Sequence, residues 1–91
     1  MSDDARNLDL IEFPCTFPIK AIGHSHANVR LIVEKIIDLH VESALVLEFA
    51  ERESGKGKFT AVTVTINAQS KAQLDNIYFA LTSDKSIVFA I

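Results

Sequence analysis

The chain holds no tryptophan, one cysteine, two prolines and three glycines among its 91 residues. A single cysteine, Cys15, excludes an internal disulfide framework, so stability must come from an apolar core, and a reducing compartment suits such a chain. Prolines and glycines this sparse exclude collagenous and low-complexity classes. Long hydrophobic runs are missing as well: stretches such as Ala44–Phe49 are strand-length, far below the roughly 18–20 residues that a spanning helix needs. The amino terminus is acidic and has no signal-peptide core, which makes the cytoplasm the expected location. Positive charge is in deficit. Nine Lys and Arg stand against twelve Asp and Glu, a formal charge of −3, and binding driven by phosphate neutralisation needs the reverse, so neither nucleic acid nor an anionic membrane is an expected partner.

What is present suits one small globular domain. Apolar residues make up 48% and charged residues 23%, and a chain of this length has room for a single core. Met1–Asn7, with Asp3 and Asp4, has little to bury and is expected to be a flexible tail. A first strand is expected from about Cys15 to Ile22, with Pro14 and Pro18 confined to its entry because proline cannot donate to a ladder, and with Gly23 ending it. From Ala27 to His40 the apolar residues Val29, Ile32, Val33, Ile36 and Ile37 recur at helical spacing behind Ser25 as N-cap. Leu45, Leu47 and Phe49 alternate with Val46, Glu48 and Ala50 in a second strand that ends in Glu51, Arg52 and Glu53. Ser54–Lys58, with two glycines, reads as a hairpin loop.

The β-branched run Phe59–Ala68 predicts a third strand, with Val62, Val64 and Ile66 on one face and Ala61, Thr63, Thr65 and Asn67 on the other. Ser70 followed by Gln73 is a capping-box signature, and Leu74, Ile77, Tyr78 and Leu81 form the stripe of a second helix reaching about Thr82. Ser86–Ile91 supplies a last strand. This βαββαβ order predicts an α+β ferredoxin-like sandwich, a four-stranded antiparallel sheet with two helices on one face, because right-handed crossovers place both helices on the same side. The core is expected from Phe17, Ile19, Leu47, Phe49, Val62, Val64, Ile66, Ile87 and Phe89.

Once these elements are placed, Glu12-Phe13-Pro14, Phe17, Lys20, Gly23, Ser54, Gly57, Val64-Thr65-Ile66-Asn67-Ala68, Gln73-Leu74 and Tyr78 together resemble the YbeD-like family of small bacterial proteins, over roughly Leu10–Ile91. The resemblance implies a ferredoxin-like fold similar to the ACT regulatory domains that bind small effectors, with no assigned activity. The chain departs from the family pattern at Phe79, where relatives look charged, and at Val88 and Ala90 in an uncharged last strand.

No catalytic constellation is legible. His24 and His26 could present two imidazoles, but no third or fourth ligand stands at matching spacing, so no metal is expected, and His40 is expected at a helix C-terminus. Nothing local activates Cys15. The Ser54–Lys58 loop lacks phosphate-loop spacing and leads into a strand. Lys20 is expected on the open sheet face with Glu48, Thr63, Thr65, Asn67 and Val88, as the one charge near its middle, and the face lacks the aromatics flanked by basic residues on which RNA-recognition sheets stack bases. A small anionic effector, if bound, is expected at Lys20 and the helix-start turn of Gly23, His24, Ser25, His26 and Asn28. Leu31 and Phe79 lie off the buried stripes of their helices, and with Val88 and Ala90 of the final strand they form the expected partner surface, for another protein or a second copy. The chain is thus expected to be a non-enzymatic regulatory or adaptor domain without cofactor, the alternative being a small acyl- or phosphate-handling enzyme.

Overall fold

The computed structural model describes residues 11–91, so the expected tail at Met1–Asn7 lies outside the described residues. Strand β1 runs over Cys15–His24, helix α1 over Val29–His40 and strand β2 over Val46–Ser54. Strand β3 spans Phe59–Ala68, helix α2 Lys71–Ser83 and strand β4 Ile87–Ala90. The sheet order is β2-β3-β1-β4, with every neighbouring pair antiparallel. This is the expected ferredoxin-like sandwich.

The two helices bury one stripe each, Val29, Val33 and Ile37 from α1 and Leu74, Ile77 and Leu81 from α2. These meet Ile19, Ala21, Val62, Val64 and Ile66 of the central strands in one core. Along β3 burial alternates residue by residue, as a sheet covered on one face requires.

Two core assignments fail, for one physical reason. Between Val46 and Glu48 the β2–β3 register slips by a residue, so Val46 lies opposite Ile66, Phe49 lies opposite Val64, and Leu47 is the extra residue of a bulge. Leu47 is 53% exposed, and Val46 packs against the core in its place. A second bulge between Ile22 and Gly23 leaves Val88 unpaired in the same way. Ile87 therefore stays on the helix side opposite Gly23, while Phe89 crosses to the open face opposite Ile22 and is half exposed.

The caps differ from the sequence reading at α1. Ser25–Ala27 forms a 3₁₀ turn, and Asn28, in the left-handed region at φ 58°, is the N-cap whose Oδ1 accepts from the Leu31 N–H. At α2, Ser70 caps as expected by accepting from the Gln73 N–H at 3.1 Å. The Gln73 side chain accepts from the Gln69 N–H and donates to the His40 carbonyl at 2.9 Å, tying the start of α2 to the end of α1. Strand β1 runs past its expected end, since Gly23 and His24 continue the ladder, whereas β2 ends as expected in the polar run Glu51–Glu53, with Ser54 added.

Candidate functional site

Register places the open face. Lys20 stands opposite Thr63, Ile22 opposite Ala61 on one side and Phe89 on the other, and Pro18 opposite Thr65. Ile91 continues the β4 edge, exchanging both backbone hydrogen bonds with Lys20 at 2.9 Å. Ile22, Phe89 and Ile91 thus form a contiguous apolar strip on the sheet face that neither α1 nor α2 covers. Toward the other margin, Lys20, Thr63 and Arg52 border a shallow hollow of about 230 Å³. Glu51 also lines it, with its carboxylate 3.6 Å from Arg30, so Lys20, Arg52 and the Thr63 hydroxyl are the groups left to receive a carboxylate or phosphate.

Aromatic rings lie at one end of this face, which the sequence reading missed. Phe59, the first residue of central strand β3, lies opposite His24. Their rings are 5.5 Å apart, and His24 stacks on His26 at 5.6 Å. The signal was available in the β3 alternation, because Phe59 shares the parity of Ala61 and Thr63.

The residues expected to form one effector site divide between two layers. Lys20 is exposed on the open face, whereas Gly23 is buried on the helix side. The Ser25 hydroxyl lies 2.8 Å from the Thr60 hydroxyl, and its N–H donates to the Lys58 carbonyl. Asn28 caps α1 with its own side chain. Ser25 and Asn28 thus engage their side chains within the protein, and Lys20 stands apart from the turn, beside Thr63 and Arg52. The expected partner residues also separate: Leu31 and Phe79, the latter 74% exposed, lie on the helices, while Val88 bulges from β4 and Ala90 is half-buried opposite Ala21. Leu39, 80% exposed on α1, had not been singled out.

The other chemical residues are occupied structurally or stand alone. His40 Nδ1 is 2.8 Å from the Ile36 carbonyl in the last turn of α1. Cys15 is half-buried and unbridged. No group of three or more metal-ligating side chains converges among the described residues. Nor is any helix among them long and apolar enough to cross a membrane. Arg30 donates to Glu34 at 2.7 Å, lies 3.6 Å from Glu51, and sits with its guanidinium 4.5 Å from the Phe49 ring centroid.

A family model described as a protein of unknown function, DUF493, matches residues 9–91. The chain belongs to this family. Among DUF493 relatives, the UPF0250 protein NMC1112 of Neisseria meningitidis is 39% identical over 87 residues, covering 96% of each chain. A UPF0250 protein of Chromobacterium violaceum is 40% identical, covering 90% of each chain. One from Paraburkholderia phytofirmans is 44% identical over 79 residues, covering 84% of this chain and 85% of its own. These relatives are the small bacterial proteins that the motif resemblance pointed to. The solution structure of protein HP0495 from H. pylori superposes with a TM-score of 0.72, covering all of this chain and 94% of that one at 13% identity. At that identity the likeness establishes the fold alone. The DUF493 description names no reaction.

Proposed function

We propose that the protein is a non-catalytic regulatory or adaptor domain that acts by docking on another protein through its open sheet face. The observation that carries this reading is the strip of Ile22, Phe89 and Ile91, three large apolar side chains side by side on an uncovered face. Contiguous apolar surface of this kind is stabilised by a partner that removes it from water. Val88, exposed at the β4 bulge, stands at the same sheet margin, and β4 carries no charged residue that would oppose an apolar partner. A small anionic effector fits the same reading at the Lys20, Thr63 and Arg52 hollow, where it would alter the docking face directly. The architecture is also the one ACT regulatory domains use. A phosphate-handling enzyme needs a free arginine after β1, and Arg30 is already held by Glu34, Glu51 and the Phe49 ring.

The test is capture from the native cell with tagged wild type, Phe89→Glu and Phe79→Glu, followed by mass spectrometry, alongside an NMR titration with inorganic phosphate. Phe89→Glu should lose the partner that wild type and Phe79→Glu retain, and phosphate should shift the Lys20, Arg52 and Thr63 amides first. Retention of every partner by Phe89→Glu would place docking elsewhere. If Phe79→Glu alone loses it, the helical layer is the interface.

A further inference from the structure

The opposite margin of the sheet carries a second surface with a different chemistry. Strand β2 has β3 on one side and, among the described residues, no strand on the other, leaving a nine-residue edge from Val46 to Ser54. Beyond the Leu47 bulge that edge carries three Glu and one Arg, charges that discourage a like strand and admit a basic one. Beside it, between α1 and β2, runs a groove of about 350 Å³ lined by Ile37, Val46 and Phe49 and walled by Glu34, Asp38 and Ser43. An exposed strand edge next to an apolar groove is the geometry in which an extended segment adds a strand and drops alternate side chains into the groove.

Charge selects the occupant. On the groove side stand Glu34, Asp38, Glu51 and Glu53, the last two opposite buried Val62 and Thr60, against Arg30, four carboxylates to one guanidinium. Arg30 is spent on Glu34 and Glu51, which leaves Asp38 and Glu53 as the carboxylates open to a partner, with Lys35 about 60° round the helix from Asp38. A second copy of this chain fits poorly, because pairing β2 with β2 about a two-fold axis brings the Glu34 and Asp38 walls of both copies together. Like charges across an interface oppose association.

We infer that the β2 edge and the α1–β2 groove receive an extended, basic segment of another protein, with Lys or Arg alternating with large apolar residues. The long cationic side chains reach Asp38 and Glu53 over the half-buried Val46 and Phe49, which suit their aliphatic stems. This surface lies at the margin opposite β4, so it is distinct from the Phe89 strip, and a protein holding partners at both margins would bridge them.

The experiment titrates the ¹⁵N-labelled full chain with a capped nonapeptide alternating Lys and Val, and with its Glu–Val counterpart. The Lys–Val peptide should shift the Val46–Ser54 amides and slow their hydrogen exchange, and the Glu–Val peptide should not. Asp38→Lys should weaken binding about five- to tenfold, the scale of reversing one exposed charge contact. Asp75→Lys, the same charge change on α2, and Phe89→Glu should leave it within about twofold. Equal weakening by Asp38→Lys and Asp75→Lys overturns the site as non-specific attraction. Shifts confined to β4 and the open face overturn it too, as does β2 protection that grows with protein concentration in the absence of peptide, the sign of a second copy. Because Phe89→Glu is scored separately here, loss of this site leaves the open-face reading standing, and the converse.

Discussion

Gly23 occupies a space that admits no other residue. A Cβ built on it would lie 2.5 Å from the Ser86 carbonyl oxygen and 2.9 Å from a Val29 methyl, at the point where β1, β4 and the start of α1 converge. The first of these contacts is to backbone, which cannot swing aside as a flexible side chain can. Gly23→Ala should therefore lower stability by about 2 kcal/mol through overpacking. In a domain this size that is a fall of roughly 10 °C in thermal midpoint, read by calorimetry or circular dichroism. A midpoint within a degree or two of wild type would mean that β4 yields easily. The sequence marked this glycine as a strand terminator, and its actual role is to let β4 approach. That role depends on Ser86, 63 positions along the chain, which no local pattern conveys. Asn28 and Ser25 show the same limit at shorter range. Both are good capping residues, and the choice between them follows from Ser25 spending its hydroxyl on Thr60, a contact made only once β3 is in place.

Strands differ in how much of their own phase they reveal. In β3 threonine alternates with valine and isoleucine, so its two faces can be assigned from the residues alone, and the observed burial follows that assignment. Strands β2 and β4 enter through unbroken apolar runs, Ala44-Leu45-Val46-Leu47 and Ile87-Val88-Phe89-Ala90, which carry no polar mark of which side is out. A bulge can then insert one residue and turn everything beyond it over without breaking the pattern. Leu47 and Phe89 were misplaced for that reason, and with Phe89 the strip that dominates the open face was hidden. The energetic consequence is measurable. Leu47→Ser should change stability by no more than about 0.5–1 kcal/mol, as an exposed position does. Ile19→Ala, which empties a fully buried site on β1, should cost about 3 kcal/mol. Urea denaturation of the two variants separates these values clearly, and comparable losses would show that Leu47 packs inward.

At the scale of the whole molecule the topology was legible because each element announces its type and the order leaves few antiparallel arrangements. The surfaces were not, since each is assembled from strands whose phase and register are decided in three dimensions. The result is a sheet with two unlike margins: an apolar strip at β4 and an acidic edge at β2. Salt should act on them in opposite directions. Contact between two open faces buries apolar surface against the mutual repulsion of molecules that each carry a formal −3. Added salt screens that repulsion, the Debye length falling from about 10 Å at 0.1 M toward 3 Å at 1 M. Weak self-association of the wild type, followed by sedimentation over a concentration series, should therefore strengthen between about 0.05 and about 0.5 M salt. Phe89→Glu should abolish it at every salt concentration. Binding of a basic peptide at β2 rests on attraction between opposite charges and should weaken over the same interval. If self-association also weakens with salt, charge and not the apolar strip holds the copies together, and the open face loses its place as the docking surface.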